Sequence, residues 1–366
     1  MREEALVIEQ PGREAAAKNG TEERLARVAV LGATGYAGRE LISLLMRHGG
    51  VRIARLMSSG KSRSGPAPVA DSHAVLRGVT QVPIEPLALE PLTAAAVDFV
   101  FLATPHEASH DLVPVLLGRG LKVVDLSGAF RLKDPGAYPR WYGFEHQART
   151  ALAEAVYGIP ELNAAEIRKS LLVANPGCYP TSVILALAPL LRSGLIDKEA
   201  GIVCDAKSGA TGAGRSLRDD LLFASVAENC RPYGAFGHRH VPEMLQELDL
   251  ASESFTFTPH LLPLTRGILS TIYFRLTRVL DADELSKVCQ EFFSQAPLVR
   301  VYPAGKLPEI QSVAHTQFAD LGFAVDASTR RAIAVSAIDN LGKGAAGQAV
   351  QNMNLMLGYR EDQGLK

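Results

Sequence analysis

A thiol set in a tight turn ahead of a helix is the group in this sequence best placed to act as a nucleophile. Cys178 stands in Asn175-Pro176-Gly177-Cys178-Tyr179-Pro180-Thr181, after an apolar run, Leu171-Leu172-Val173-Ala174, that reads as a strand. The spacing predicts a helix over about Thr181 to Leu191. The positive end of a helix dipole favours thiolate over thiol, and Pro and Gly on either side force a turn that exposes the sulfur. The other three cysteines, Cys204, Cys230 and Cys289, are scattered, with no spacing suited to zinc or a disulfide framework. Cys204 and Cys289 read as small buried hydrophobes, and reduced thiols fit a cytoplasmic setting. A second reactive type occurs as a pair, His238 and His240. Imidazole titrates near neutrality. Two positions apart, the two rings share a face on a strand and diverge on a helix.

A third signal is the glycine-punctuated turn Gly32-Ala33-Thr34-Gly35-Tyr36-Ala37-Gly38. It follows a short apolar strand, Arg27 to Leu31, and opens a helix with Leu41, Leu44 and Leu45 on one side. Glycines there let backbone N–H groups approach a pyrophosphate at the helix N-terminus. A second strand, Arg52 to Met57, runs into Ser58-Ser59-Gly60-Lys61-Ser62-Arg63. Hydroxyls and cations without a carboxylate suit a 2′-phosphate, which favours NADP over NAD. Ala103-Thr104-Pro105, at the end of a third strand, is predicted to line the cofactor crevice; the following His106 is given no chemistry.

These turns need a scaffold. Strands at Asp98–Ala103 and Lys122–Leu126, alternating with helical stretches, argue for an α/β domain with a parallel, doubly wound sheet. Beyond Pro176 the strands lengthen (Ile202–Ala206, Leu269–Leu276), as in a second domain with a mixed or antiparallel sheet under helices. A last helix, about Ala345 to Leu357, is assigned back to the first domain. The expected division is a disordered extension over 1–24, a dinucleotide-binding domain over 25–177 completed by 340–366, and a catalytic and oligomerisation domain over 178–339. The extension lacks the apolar segment of a signal peptide, and no run of about 20 apolar residues predicts a membrane span. With 366 residues, 47% hydrophobic, 21% charged and a net charge of −1, the chain has a globular composition. It has no field to recruit nucleic acid or an anionic membrane.

The Cys178 and glycine-rich turns recur with other motifs in a set that resembles the N-acetyl-γ-glutamyl-phosphate reductases. The matching stretches are Gly32 to Leu41, Asp125-Leu126-Ser127-Gly128-Ala129-Phe130-Arg131-Leu132, Tyr157 to Leu162, and Asn175 to Thr181. Further on come Ser208 to Arg215, Gly237-His238-Arg239-His240-Val241-Pro242-Glu243, Pro263 to Gly267, and Asp339 to Ala349. Together they span about Arg27 to Gly358. One departure is Ala129, where the family often carries an acid.

The resemblance implies a Rossmann-type NADP-binding domain joined to a glyceraldehyde-phosphate-dehydrogenase-like α+β domain. It implies reduction of a small acyl phosphate to an aldehyde with release of phosphate, in arginine biosynthesis, by a homodimer or tetramer. The family's nucleophile maps onto Cys178, and one of His238 and His240 is expected to act as acid and base; which one stays open. Asn340, Gly342 and Gly344 are implied to contact the nicotinamide half. The chemistry suits the residues: a thiolate expels phosphate from an acyl phosphate, leaving a thioester able to accept hydride. Ser127, Arg131, Arg215 and Arg266 are the candidates to hold the substrate's anions. An alternative is a related reductase acting on aspartyl phosphate or on a carrier-linked glutamyl or aminoadipyl phosphate. A nucleotide-binding sensor without catalysis is the reading from another class, and intact Cys178 and histidines speak against it.

Overall fold

The computed structural model describes residues 24–58 and 65–366. The expected N-terminal extension therefore lies outside the described residues except for Arg24, whose guanidinium meets Asp98. Ser59, Lys61 and Arg63 lie outside them too.

Two seven-stranded sheets organise the chain. The first contains β1 (Ala26–Leu31), β2 (Val51–Ser58), β3 (Ile84–Pro86), β4 (Phe99–Leu102), β5 (Lys122–Asp125), β6 (Val156–Tyr157) and β7 (Leu172–Ala174). Its order is β3-β2-β1-β4-β5-β7-β6, with all neighbours parallel. Continuous apolar runs make this possible: Val28 to Leu31 and Phe99 to Leu102 are wholly buried, as strands covered on both faces must be. Strand order reverses between β1 and β4, so a crevice opens where their C-terminal ends diverge. The glycine-rich turn and Ala103-Thr104-Pro105 are the segments that leave those two ends.

The second sheet contains β8 (Ile202–Gly209), β9 (Arg231–Pro232), β10 (Phe255–Leu262), β11 (Ile268–Arg275), β12 (Val299–Val301), β13 (Ala319–Asp326) and β14 (Arg331–Ile338). It is mixed, ordered β12-β13-β14-β11-β8-β10-β9, with β8/β10 and β12/β13 parallel. Strands β8, β10 and β11 alternate buried with partly exposed positions, the signature of one covered face.

The helices are α1 (Tyr36–Leu45), α2 (Val69–Ser72), α3 (His106–Gly118), α4 (Tyr138–Tyr142), α5 (Arg149–Glu154) and α6 (Pro160–Lys169). They continue with α7 (Cys178–Arg192), α8 (Phe223–Val226), α9 (Val241–Leu248), α10 (Ala282–Phe292) and α11 (Gly347–Leu357). Leu112, Val113 and Leu116 of α3 pack on one face of the first sheet, with Ala29 and Val100. On the other face Leu41 and Leu45 of α1 meet Val350 and Met353 of α11. Val183, Ile184 and Leu187 of α7 and Leu285 of α10 cover the inner face of the second sheet.

Two predicted boundaries differ. Helix α7 begins at Cys178, not near Thr181, because Pro180 falls in the first turn, where a missing N–H is no loss. The final helix is preceded by a wide π-helical turn, Gly342–Ala346. Glycines permit it: a Cβ at Gly342 would lie 2.3 Å from the Thr316 carbonyl, and one at Gly347 would lie 1.8 Å from Gln317 Oε1. Lys343, fully buried in this turn, is held by Glu161 and Gln351.

Candidate active site

Strand β7 delivers the chain to the reactive turn. The Asn175 N–H continues the parallel ladder to the Asp125 carbonyl at 2.8 Å. The Asn175 side chain donates to the Ala345 carbonyl at 3.2 Å and accepts from Asn352 at 3.1 Å. Gly177 then caps α7 in extended backbone with no side-chain cap, so the first turn leaves its N–H groups open around Cys178. Two glycines make room for neighbours. A Cβ on Gly177 would sit 2.5 Å from His240 Nε2, and one on Gly344 would sit 2.9 Å from Cys178 Cβ. The sulfur-bearing residue thus lies between the second imidazole and the π-helical turn.

Cys178 is half-buried, whereas Cys204 and Cys289 are buried and Cys230 is exposed. Burial pushes the Cys178 thiol up to about 11; the Tyr179 N–H and the charges of Arg131 and Arg239 pull against it. Desolvation therefore outweighs the helix end, and the resting sulfur is protonated at neutral pH. A base must take its proton.

His238 and His240 face each other edge-on, ring centroids 4.7 Å apart, just ahead of α9. His238 Nδ1 accepts the His240 backbone N–H at 3.1 Å, which places the ring proton of neutral His238 on Nε2. Burial, then Arg239, lowers His238 to about 4. Burial lowers His240 well below its ordinary value, with His238, Arg131 and Arg239 adding to the effect. Both rings are neutral near pH 7; the acceptor nitrogen of His238 is taken by the His240 N–H, which leaves His240 as the ring free to accept a proton. His240 is buried, its Nδ1 has no hydrogen-bond partner among the described residues, and its Nε2 lies 4.0 Å from Glu243 Oε1.

Linkage gives these values a consequence. His238 and His146, both lowered to about 4, ionise more readily in the unfolded chain, where imidazole titrates near 6.5. Their contribution to stability is complete above 6.5 and is lost as pH falls toward 4. The melting temperature should decline across that window, and His146→Gln should make the decline shallower. A profile flat between those limits would contradict the burial of neutral rings.

Glu243 and Tyr157 were not singled out as site residues by the sequence reading, yet they anchor the turn. Glu243 is fully buried. Its Oε2 accepts the Gly177 N–H at 3.0 Å and the Tyr157 hydroxyl at 2.8 Å. Its Oε1 accepts from Arg131 at 3.0 Å and from the Tyr142 hydroxyl at 3.3 Å. The sequence hints are its place at the end of the Gly237–Glu243 motif and three residues after His240.

Arg131 corrects an expectation. It was a candidate for the substrate's anions, but it is buried with its donors turned inward. Nε reaches the Asn175 carbonyl at 2.8 Å, Nη1 reaches Glu243, and Nη2 reaches the Leu126 carbonyl at 2.8 Å. Its role here is to hold the Cys178 turn. Arg266 is likewise buried, between Glu40 and Asp339. Ser127 gives its hydroxyl to Asp125 at 2.8 Å and accepts the N–H of Ala129, a wholly buried residue. Arg215 is exposed and donates to the carbonyls of Thr34 at 2.9 Å and Ser72 at 3.1 Å. Arg239, between the histidines, is exposed and has no carboxylate partner among the described residues. Its charge acts on Cys178 and on both rings.

At the crevice, Gly32 has φ +87°, and a Cβ there would lie 2.2 Å from the Ala103 carbonyl. A Cβ on Gly38 would meet the Gly32 carbonyl at 2.4 Å. Helix α1 is capped by Gly35 without a side-chain bond, so the N–H groups of Tyr36, Ala37 and Gly38 face outward unpaired by the helix, as a pyrophosphate requires. Thr34 and Ser58 hydroxyls meet at 3.0 Å, and Thr104 bonds Ser109 at 2.8 Å. The cradle fits a dinucleotide. Asn340 is buried, accepting from the Gly267 N–H at 2.8 Å and donating to Thr211 at 2.9 Å. Gly342 and Gly344 belong to the π-helical turn against Cys178. Among the described residues no helix is long and apolar enough to cross a membrane.

Comparison with known proteins agrees with this geometry. Residues 27–170 match the family described as semialdehyde dehydrogenase, NAD binding domain, and residues 178–340 match its dimerisation domain. N-acetyl-γ-glutamyl-phosphate reductase from Geobacter metallireducens is 49% identical over 345 residues, covering 93% of this chain and 97% of its own. The Desulfotalea psychrophila protein of the same name is 48% identical, covering 93% and 98%. Among solved structures, aspartate semialdehyde dehydrogenase II from Vibrio cholerae, complexed with ASA, has a TM-score of 0.68 at 18% identity, covering 92% of this chain and 99% of its own. The Candida albicans aspartate semialdehyde dehydrogenase with NADP has a TM-score of 0.69 at 15% identity, covering 91% and 99%; both likenesses speak to fold. With nearly half of the aligned residues shared with these reductases along nearly the whole length of both chains, the chain belongs to the N-acetyl-γ-glutamyl-phosphate reductase family.

Proposed function

We propose that this protein reduces N-acetyl-γ-glutamyl phosphate to N-acetylglutamate 5-semialdehyde, releasing phosphate, in arginine biosynthesis. The observation that carries this reading is the placement of Cys178 at the open N-terminus of α7, beside a neutral, buried His240 packed on Gly177. His240 takes the thiol proton as the sulfur attacks the acyl carbonyl, and phosphate leaves with the bonding pair, forming a thioester. NADPH, when bound, supplies the hydride that reduces this thioester. The tetrahedral alkoxide then re-forms its C=O bond and expels the sulfur with the C–S bonding pair, and the imidazolium of His240 returns its proton to that sulfur, freeing aldehyde and restoring the thiol. His238, its Nδ1 tied to the His240 backbone, orients the segment. With Arg131 and Arg266 paired internally and Arg215 bonded at the glycine-rich turn, we assign Arg239 to the substrate's phosphate or carboxylate.

Purified protein given N-acetyl-γ-glutamyl phosphate should oxidise NADPH and release semialdehyde. Turnover only with aspartyl phosphate or a carrier-linked acyl phosphate would replace this substrate. The Gly32–Gly38 cradle and Ser58 lead into Ser59, Lys61 and Arg63, which we assign to the 2′-phosphate. Replacing Lys61 and Arg63 together by alanine should raise the KM for NADPH by about tenfold or more and barely alter that for NADH, as expected for lost charge-assisted bonds to phosphate. Equal effects on both cofactors would remove them from that role. We place the division between the two units near residue 177, with 340–366 returning to the first. We also place a homodimer or tetramer on the outward face of the second sheet, where Val203 and Tyr273 are exposed, and the enzyme in the cytoplasm.

A further inference from the structure

We infer that Arg215, carried by the second sheet, reaches across to the first and forms part of the recognition site for the 2′-phosphate of NADP. The inference rests on the NADP reading above and extends it to a residue first expected to hold the substrate. After β8 the chain makes a tight turn, Ala210–Ala213, tethered by the Ala210 N–H to the Leu264 carbonyl at 2.7 Å and by Asn340 to Thr211. Gly214, at φ +84° with open space where a Cβ would be, then turns the backbone outward. This fixes where Arg215 emerges: over the glycine-rich turn, bonded to the Thr34 carbonyl at 2.9 Å and to the Ser72 carbonyl at the end of α2 at 3.1 Å.

The position is informative because of what adjoins it. The Thr34 hydroxyl meets Ser58, the last residue of β2, at 3.0 Å. In this architecture the end of the second strand is where the adenosine ribose is read. Arg215 therefore grips the backbone of a residue whose side chain touches the ribose-reading position. Among the described residues it has no carboxylate partner, whereas Arg131 and Arg266 are committed to acids. Two neutral carbonyls are weaker partners for a guanidinium than a phosphate dianion, so an incoming 2′-phosphate can draw the fork off them. A cation supplied by the other sheet also ties cofactor binding to the approach of the two halves.

The test uses the full chain and calorimetric titration with two cofactor fragments, adenosine 2′,5′-bisphosphate and 5′-AMP. Arg215→Ala should weaken the bisphosphate by about tenfold or more and leave 5′-AMP within about twofold, the loss expected for one hydrogen bond to a charged group. Arg215→Lys should recover part of the difference, and added salt should shrink it. In steady state the KM for NADPH rises while that for the acyl phosphate stays put. Equal weakening of both fragments by Arg215→Ala would move the residue to the 5′-phosphates and overturn the proposal. So would unchanged fragment affinities accompanied by a raised KM for acyl phosphate, or by a lowered melting temperature alone. If the wild-type protein bound both fragments equally, the NADP reading would fall, and this proposal with it.

Discussion

Cys178→Ser should lower turnover by several orders of magnitude while leaving the affinity for NADPH unchanged. The substitution keeps the shape of the turn but replaces the thiol by a hydroxyl that ionises far less readily. Among the described residues the neighbouring His240 has no carboxylate hydrogen-bonded to it, Glu243 standing 4.0 Å away. Such a pair lacks the oriented base that serine nucleophiles rely on. The structure adds a test of the wild-type protein. Because burial holds the thiol near 11, alkylation of the free enzyme should be slow at neutral pH and accelerate with rising pH. Bound acyl phosphate should protect, and mass spectrometry should find that the label on Cys178 tracks the loss of activity. Cys230 is also exposed and will take label, but its modification should be silent. Substantial turnover in Cys178→Ser, or inactivation that follows Cys230, would end the thioester mechanism.

Arg131→Met should cost about 3–5 kcal/mol of stability, the usual penalty for stranding one member of a buried ion pair. That is a large share of the total for any domain. Glu243 would keep its Tyr157, Tyr142 and Gly177 donors but lose the Arg131 guanidinium. Activity should fall further than stability explains, since the same guanidinium holds the Asn175 carbonyl, three residues before the sulfur. The fall should appear in kcat, with a changed rate of Cys178 alkylation and little change in the affinity for NADPH. A variant with unaltered melting temperature and a raised KM for acyl phosphate alone would restore Arg131 to the substrate pocket.

The contrast between these two residues shows what could be read in advance. Cys178 and the Gly32–Gly38 turn were legible because their chemistry is local: proline and glycine within two or three positions fix the turn, and the helix that follows is adjacent in sequence. The doubly wound first sheet was legible for a similar reason, from short apolar strands alternating with helical stretches. The pairing of Arg131 with Glu243, 112 residues away, and of Arg266 with Glu40, 226 residues away, could not be read in advance. An arginine near a pocket looks the same in sequence whether it faces a substrate or an acid across the fold. The start of α7 was placed three residues late, at about Thr181; the helix begins at Cys178, and its first turn accepts Pro180 without penalty.

The packing of α11 has a consequence for the order in which this chain is built on the ribosome. Val350, Met353 and Met356 close the same apolar layer as Val30, Leu41 and Phe99, although β1 to β7 are all synthesised long before residues 347–357. Until that late segment emerges, the first sheet must wait with one face only partly covered, by α1 and α6, while the whole second sheet is translated. The order of completion is thus the reverse of the order of synthesis: residues 178–338 can finish folding before residues 26–174 do. During that interval the apolar residues that α11 will cover stay open to wrong association.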